Sequence, residues 1–354
     1  MKNMIFILIA GSLALCFSFY NGSDKELKNI FTQEWVYPNL PDSTIKPEIF
    51  GKTVNYNNTV LLPDSLRTFG IIGGMGCDKN NNLYVWDDKF VTLWKFSPDG
   101  KKLWSKKFKK ESKEGSYNMV GPAFAVSKEG KICLGDRITK TLNILDDSGH
   151  FINKFKLDMM PAAITFGNDG TIYVVGFEMS YKGNLIHHYT ESGKFIGSFC
   201  KRISSDAIKY SGNSGRLGTD KEGNIYYAHF YPYEIDKFSK DGILLKSFKR
   251  EVKNFNPPER EGMIARWTSG IRGLINLNNN YTAVVVCLDV KKNDWGIDFY
   301  DTQGNWKGFI SNKDLPMYFY YRYSTSDSKG NVYFDINAKP EPVIVKYKVN
   351  YKQL

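Results

Sequence analysis

The chain has 354 residues, a formal net charge of +11 and 42% hydrophobic residues. That is enough apolar material for a sizeable core, and outside the N-terminus no stretch is long and apolar enough to span a membrane. Five cysteines without a CxxC pair exclude zinc-ribbon and thioredoxin-type chemistry, while 22 Tyr, 24 Phe and 31 Gly favour strands and tight turns.

Residues 1–20, MKNMIFILIAGSLALCFSFY, place Lys2 before an apolar run from Met4 to Tyr20. This is the pattern of an export signal and predicts a periplasmic, surface or secreted protein. Cys16 follows Leu13-Ala14-Leu15, a partial match to a lipoprotein signal. That pattern wants a small residue where Leu15 stands, so lipid anchorage at Cys16 stays open beside simple export. The remaining cysteines, Cys77, Cys133, Cys200 and Cys287, are expected as buried unpaired thiols, with three disulfide connectivities formally open.

Residues 21–52 read as an N-terminal extension and residues 53–354 as one repeat domain. A turn-plus-strand pattern occurs six times: DKNNNLYV at 78, SKEGKICL at 127, GNDGTIYV at 167, DKEGNIYY at 220, LNNNYTAV at 277 and DSKGNVYF at 327. Each is a Gly/Asn-rich turn followed by alternating apolar residues. A second turn keeps step with the first five: SPDGKKLW at 97, DDSGHFIN at 146, TESGKFIG at 190, SKDGILLK at 239 and DTQGNWKG at 301. Each unit therefore predicts four antiparallel strands, a to d, and six such units predict an all-β, six-bladed β-propeller.

The last unit reaches strand c with VIVKYKV at 343–349 and ends before a strand d. An open sheet edge is a liability, so a strand from the N-terminal region is expected to close the ring, with residues 53–61, TVNYNNTVL, the candidate. The a–b and c–d turns are short and share one face of the disk. The b–c and d–a connections are long and share the other, which is the expected working face. Within it, 255–268, FNPPEREGMIARWT, predicts a short helix.

Strand a is innermost. Arg216, Arg272 and Arg322 precede the a–b turn Gly or Asn by seven or eight residues, near the loop-rich end of the axis, opposite Gly74, Ala123 and Ala163. Three guanidinium groups facing a small-residue wall would suit a carboxylate, sulfate or phosphate. The competing reading is that these arginines tie blades together through carboxylates or carbonyls. Trp267, Trp295 and Tyr231 are candidate aromatics on the same face for a glycan or protein partner.

GTDKEGNIYYAHFYPYEIDKFSKDGILLKSF, 218–248, resembles an NHL repeat, and residues 65–354 resemble bacterial secreted six-bladed propellers of the NHL-repeat-like and TolB-like superfamily. The resemblance implies a propeller scaffold, and some enzymes built on it are metal-dependent lactonases or lyases. Such sites need carboxylates, Asn or His on inner strands. The first inner strand, GIIGGMGC at 70–77, has no acidic residue, and His150, His187, His188 and His229 fall outside strand a. Asp87, Asp136 and Asp335 end strand b, where turn capping accounts for them. No GxSxG, P-loop, HExxH or EF-hand sequence occurs.

The expected function is an exported, non-catalytic binding propeller for an anionic ligand, glycan or protein, with no cofactor, no metal and no nucleic acid, acting as a monomer. A metal-dependent lactonase- or lyase-like hydrolase and a cell-surface interaction platform are the alternatives.

Overall fold

A computed structural model of the chain describes residues 31–37, 69–108, 123–177, 183–201, 215–312 apart from 254, 258, 262, 263, 267, 278, 279 and 293, 323–336, 342–349 and 351. It contains six four-stranded antiparallel sheets arranged in a ring, a six-bladed β-propeller.

Blade one comprises β2 (Ile72–Cys77), β3 (Leu83–Asp87), β4 (Thr92–Phe96) and β5 (Lys102–Lys107), with β1 (Phe31–Tyr37) reserved for the closure. Blade two is β6 (Ala123–Val126), β7 (Ile132–Asp136), β8 (Thr141–Leu145) and β9 (Phe151–Lys156). Blade three is β10 (Met160–Phe166), β11 (Ile172–Phe177), β12 (Asn184–Tyr189) and β13 (Phe195–Lys201). Blade four is β14 (Arg216–Thr219), β15 (Ile225–Ala228), β16 (Glu234–Phe238) and β17 (Leu244–Lys249).

A separate hairpin, β18 (Glu259–Glu261) and β19 (Ile264–Arg266), leads to blade five: β20 (Gly270–Leu277), β21 (Tyr281–Asp289), β22 (Asp294–Asp301) and β23 (Trp306–Ser311). Blade six is β24 (Ser324–Ser326), β25 (Asn331–Ile336), β26 (Val343–Val349) and, as its outermost strand, β1.

The ring is closed by an N-terminal strand, but it is β1, paired antiparallel from Phe31↔Val349 to Tyr37↔Ile344. The candidate at 53–61 lies outside the described residues, and the propeller therefore includes part of the segment assigned to the N-terminal extension. The hairpin of β18 and β19 replaces the helix expected over 255–268. Gly262 divides the helix formers there into two short runs, and glycine costs a helix about 1 kcal/mol.

The core is partitioned by blade. Six clusters of buried side chains lie at the six junctions between neighbouring blades, one cluster to each junction. Strands b and c are covered on both faces, so LYVWD of β3 and TLNIL of β8 are buried throughout. The outer strands have water on one side: β5 exposes most of KLWSKK and β9 half of FINKFK.

The turns follow their sequence. In the c–d turn of blade one, the Gly100 N–H donates to Ser97 C=O and the Ser97 N–H to Lys101 C=O, with Gly100 at φ +83°. This is a type I turn ending in a left-handed residue, which glycine enters without steric cost. Where glycine is missing, in DKNNN and LNNN, Asn81 (φ +63°) and Asn280 (φ +66°) take the left-handed position.

Candidate functional site

The first strands of successive blades touch one another, and β24 returns to β2. They enclose an axial channel of about 290 Å³ whose lining draws on all six blades. Because Arg216 sits opposite Ala228, the last residue of β15, it lies at the end of the channel nearest the b–c and d–a connections.

Counting back from the a–b turns, Gly74, Ala123, Ala163 and Arg216 occupy one register position, facing Trp86, Gly135, Val175 and Ala228 on strand b. All four line the channel. Arg272 is one residue further out, in the register shift between Ile271 and Gly273, and also lines the channel. Gly73 and Ala162 stand in the matching shifts of blades one and three. Arg322 and Trp267 lie outside the described residues. Tyr323, next to Arg322, lines the channel, and its N–H donates to Asp335 Oδ1 at 2.8 Å.

Arg137, which no strand-a pattern marks in the sequence, joins Arg216 and Arg272 in the lining. It follows β7 in the b–c connection of blade two, so attention to strand a alone could not find it. Its place after Asp136 was the available signal. Asp136 Oδ1 accepts the N–H groups of Ile138 and Thr139, a tight cap that sets the course of the chain around Arg137.

Two of the three guanidinium groups are held from behind by carbonyls. Arg216 Nε–H donates to Arg272 C=O at 2.9 Å and Arg137 Nε–H to Pro161 C=O at 3.1 Å. Arg272 rests on the Phe230 ring, 4.6 Å from its centroid, and its buried Nε–H has no acceptor among the described residues. Burial lowers the pKa of the enclosed Arg216, and the charges of Arg272 and Arg137 lower it further against the opposing effect of Tyr323. Among the described lining residues there is no Asp, Glu or His.

The aromatic candidates separate from this site. Tyr231 is half-buried and stacks on Phe255 with centroids 5.6 Å apart, outside the channel lining. Trp295 is not a loop-face residue: it lies in β22, is 4% exposed and packs in the cluster between blades five and six. A β22 running from Asp294 converts what read as a connection into strand, and the apolar junction takes the indole.

Asp87 caps the turn after β3 through the N–H groups of Lys89 and Phe90. Cys77, Cys133, Cys200 and Cys287 are free thiols as expected, Cys133 and Cys287 buried and Cys77 and Cys200 partly so, and desolvation raises the pKa of each.

No protein-family model matches the chain, and no curated protein matches its sequence. Solved structures share its fold. A Bacteroides fragilis protein described as exported is similar at a TM-score of 0.56 and 12% identity, over 82% of this chain and 93% of that one. Virginiamycin B lyase from Staphylococcus aureus, in a catalytically inactive form with quinupristin, is similar at 0.51 and 13%, over 79% and 80%. The RRP9 WD40 repeats are similar at 0.50 and 11%, over 80% and 96%. At these identities the likeness is one of fold.

Proposed function

We propose that this chain is an exported binding propeller of the NHL-like kind that takes an anionic ligand at the loop-rich mouth of its channel. The observation that carries the reading is the convergence of Arg137, Arg216 and Arg272 on one lumen whose described lining contains no carboxylate. Mutually repelling guanidinium groups in a confined space are stabilised by an oxyanion, which accepts bidentate N–H donation. Ala123 and Ala163 leave room on the facing wall for the body of the ligand. The exported neighbour and the N-terminal signal pattern support export. A lipid anchor at Cys16 would hold the same domain at a membrane surface.

The test is thermal unfolding of the full chain with carboxylate-, sulfate- and phosphate-bearing compounds, anionic sugars included, against chloride at matched ionic strength. A ligand at one hundred times its Kd stabilises by about 2.7 kcal/mol. The expected result is an anion-dependent rise in Tm that Arg137→Gln and Arg272→Gln each diminish. Equal Tm values in every anion and in chloride would remove the proposal.

A further inference from the structure

We propose that Cys200, His229 and Asp236 form a divalent-metal site, suited to zinc, that staples blade three to blade four. The site is off the axis and independent of the anion-binding channel.

The three side chains come from separate segments. Cys200 is in β13, the outer strand of blade three, His229 directly follows β15, and Asp236 is in β16 of blade four. One donor atom from each lies within 4.8 Å of the other two. His229 Nε2 and Asp236 Oδ2 are 2.8 Å apart, and these residues are 3% and 7% exposed. Cys200 as a residue is partly exposed, which leaves a route inward for an ion, while its sulfur belongs to the buried cluster.

The donor set is chemically selective. A thiolate, an imidazole and a carboxylate suit zinc, at bond lengths of roughly 2.0–2.3 Å and tetrahedral angles, with a fourth position left over. Donor separations of roughly 3–4 Å then follow, so the cluster needs only small side-chain rotations to close around an ion.

The surroundings are ordered as such a site requires. Ser247 Oγ donates to Asp236 Oδ1, the carboxylate oxygen away from His229. The Tyr227 ring lies edge-on to His229 at 4.6 Å, and the His229 N–H donates to Glu234 C=O at 2.9 Å, fixing imidazole and backbone. Cys200 has φ +65°, a left-handed conformation uncommon for a residue with a side chain. Metal binding sends the thiol proton to solvent and leaves the imidazole protonated at Nδ1, with Nε2 on the ion.

The experiment uses the full chain stripped with a chelator and titrated with Zn²⁺ by calorimetry and with Co²⁺ by absorption. One equivalent of Co²⁺ should give a thiolate-to-cobalt charge-transfer band with tetrahedral d–d bands, and one equivalent of Zn²⁺ should raise Tm. Cys200→Ser should abolish the charge-transfer band, His229→Gln should weaken zinc at least ~100-fold, and Ser247→Ala about 10-fold. His150→Gln, in an exposed turn, should change nothing. Apo Cys200→Ser matched to apo wild type in circular dichroism and urea midpoint keeps loss of metal distinct from loss of fold. Absence of the charge-transfer band in wild type, or its persistence in Cys200→Ser, overturns the site.

Discussion

Removing Asp298 should destabilise the junction between blades four and five. Its carboxylate is fully enclosed and receives Arg250 Nη2 at 2.9 Å on Oδ1, Arg250 Nε at 3.2 Å and Tyr233 Oη at 2.5 Å on Oδ2, and Trp306 Nε1 at 2.7 Å on Oδ1. Breaking a buried ion pair from one side costs about 3–5 kcal/mol. In Asp298→Ala the orphaned Arg250 side chain is already 18% exposed and lies over the Tyr233, Trp306 and Phe309 rings, and Tyr233 keeps Tyr300 at 2.8 Å. The loss should therefore sit at the lower end, about 3 kcal/mol, or roughly 4–5 °C in Tm for a domain of this size.

Arg250→Met should cost more near neutral pH, because the group it orphans is the enclosed carboxylate. Burial already lifts the Asp298 carboxyl above the ordinary carboxylate range, with Arg250 opposing the lift. Without Arg250 the folded pKa rises further above the unfolded one. The deficit is then smallest at acid pH and grows as pH climbs through that window. The assay is urea unfolding followed by tryptophan fluorescence at pH near 5 and near 7. A loss under ~1 kcal/mol for Asp298→Ala, or an Arg250→Met deficit that does not change with pH, would refute the reasoning.

Two other expectations concern closure and pH. Asn81 Oδ1 accepts from the N–H and Oγ of Ser328 at 2.8 and 2.6 Å, tying blade one to blade six, and its φ is +63°. Asn81→Ala should cost about 2–3 kcal/mol and Asn81→Gly about 1 kcal/mol less, since only alanine adds left-handed strain to the lost bonds. Identical denaturation midpoints for the two variants would count against the argument. His188 is buried against Tyr173 and Phe199, and burial lowers its pKa from 6.5, with His187 adding to the effect against Asp241 and Asp169. Its contribution is complete above the unfolded value and fades as pH falls through 6.5 toward the folded value. Wild type should lose stability over that interval faster than His188→Phe, and parallel stability-versus-pH curves would exclude the linkage.

The doubled turn signals made the blades legible because turn chemistry is local: Asp220, Gly223 and Asn224 announce one turn by themselves, and Asp220 Oδ1 accepts the N–H of both Glu222 and Asn224. Closure was legible as a need but not as an address. The pairing of β1 with β26 joins residues more than three hundred positions apart, and no local pattern carries that. Arg216 could be read because its strand is regular up to the turn. Arg272 reaches the lumen from a bulge, where a count of residues goes out of phase, and Arg137 from a connection. The Cys200 cluster was out of reach for the same reason as closure, since it assembles across a blade junction.

The two halves of the channel wall have different physical origins, and that difference bears on function. A Cβ added at Gly74 would lie 2.4 Å from Phe124 Cβ, and one at Gly76 2.7 Å from Val126 Cγ2. Gly74 and Gly76 are therefore required by the close approach of β6, whether or not anything binds. Arg216 Nε–H does tie blade four to blade five through Arg272 C=O, but Gly74, Ala123 and Ala163 show that small residues satisfy the same register position. Fold stability alone would favour a small residue there, because enclosing Arg216 beside two like charges is unfavourable and lowers its pKa. Arg216→Ala should then leave the unliganded domain within ~1 kcal/mol of wild type, the lost bond to Arg272 C=O being offset by the relieved charge, while removing its response to anions, and a variant less stable by clearly more than that would assign the arginine to blade packing instead.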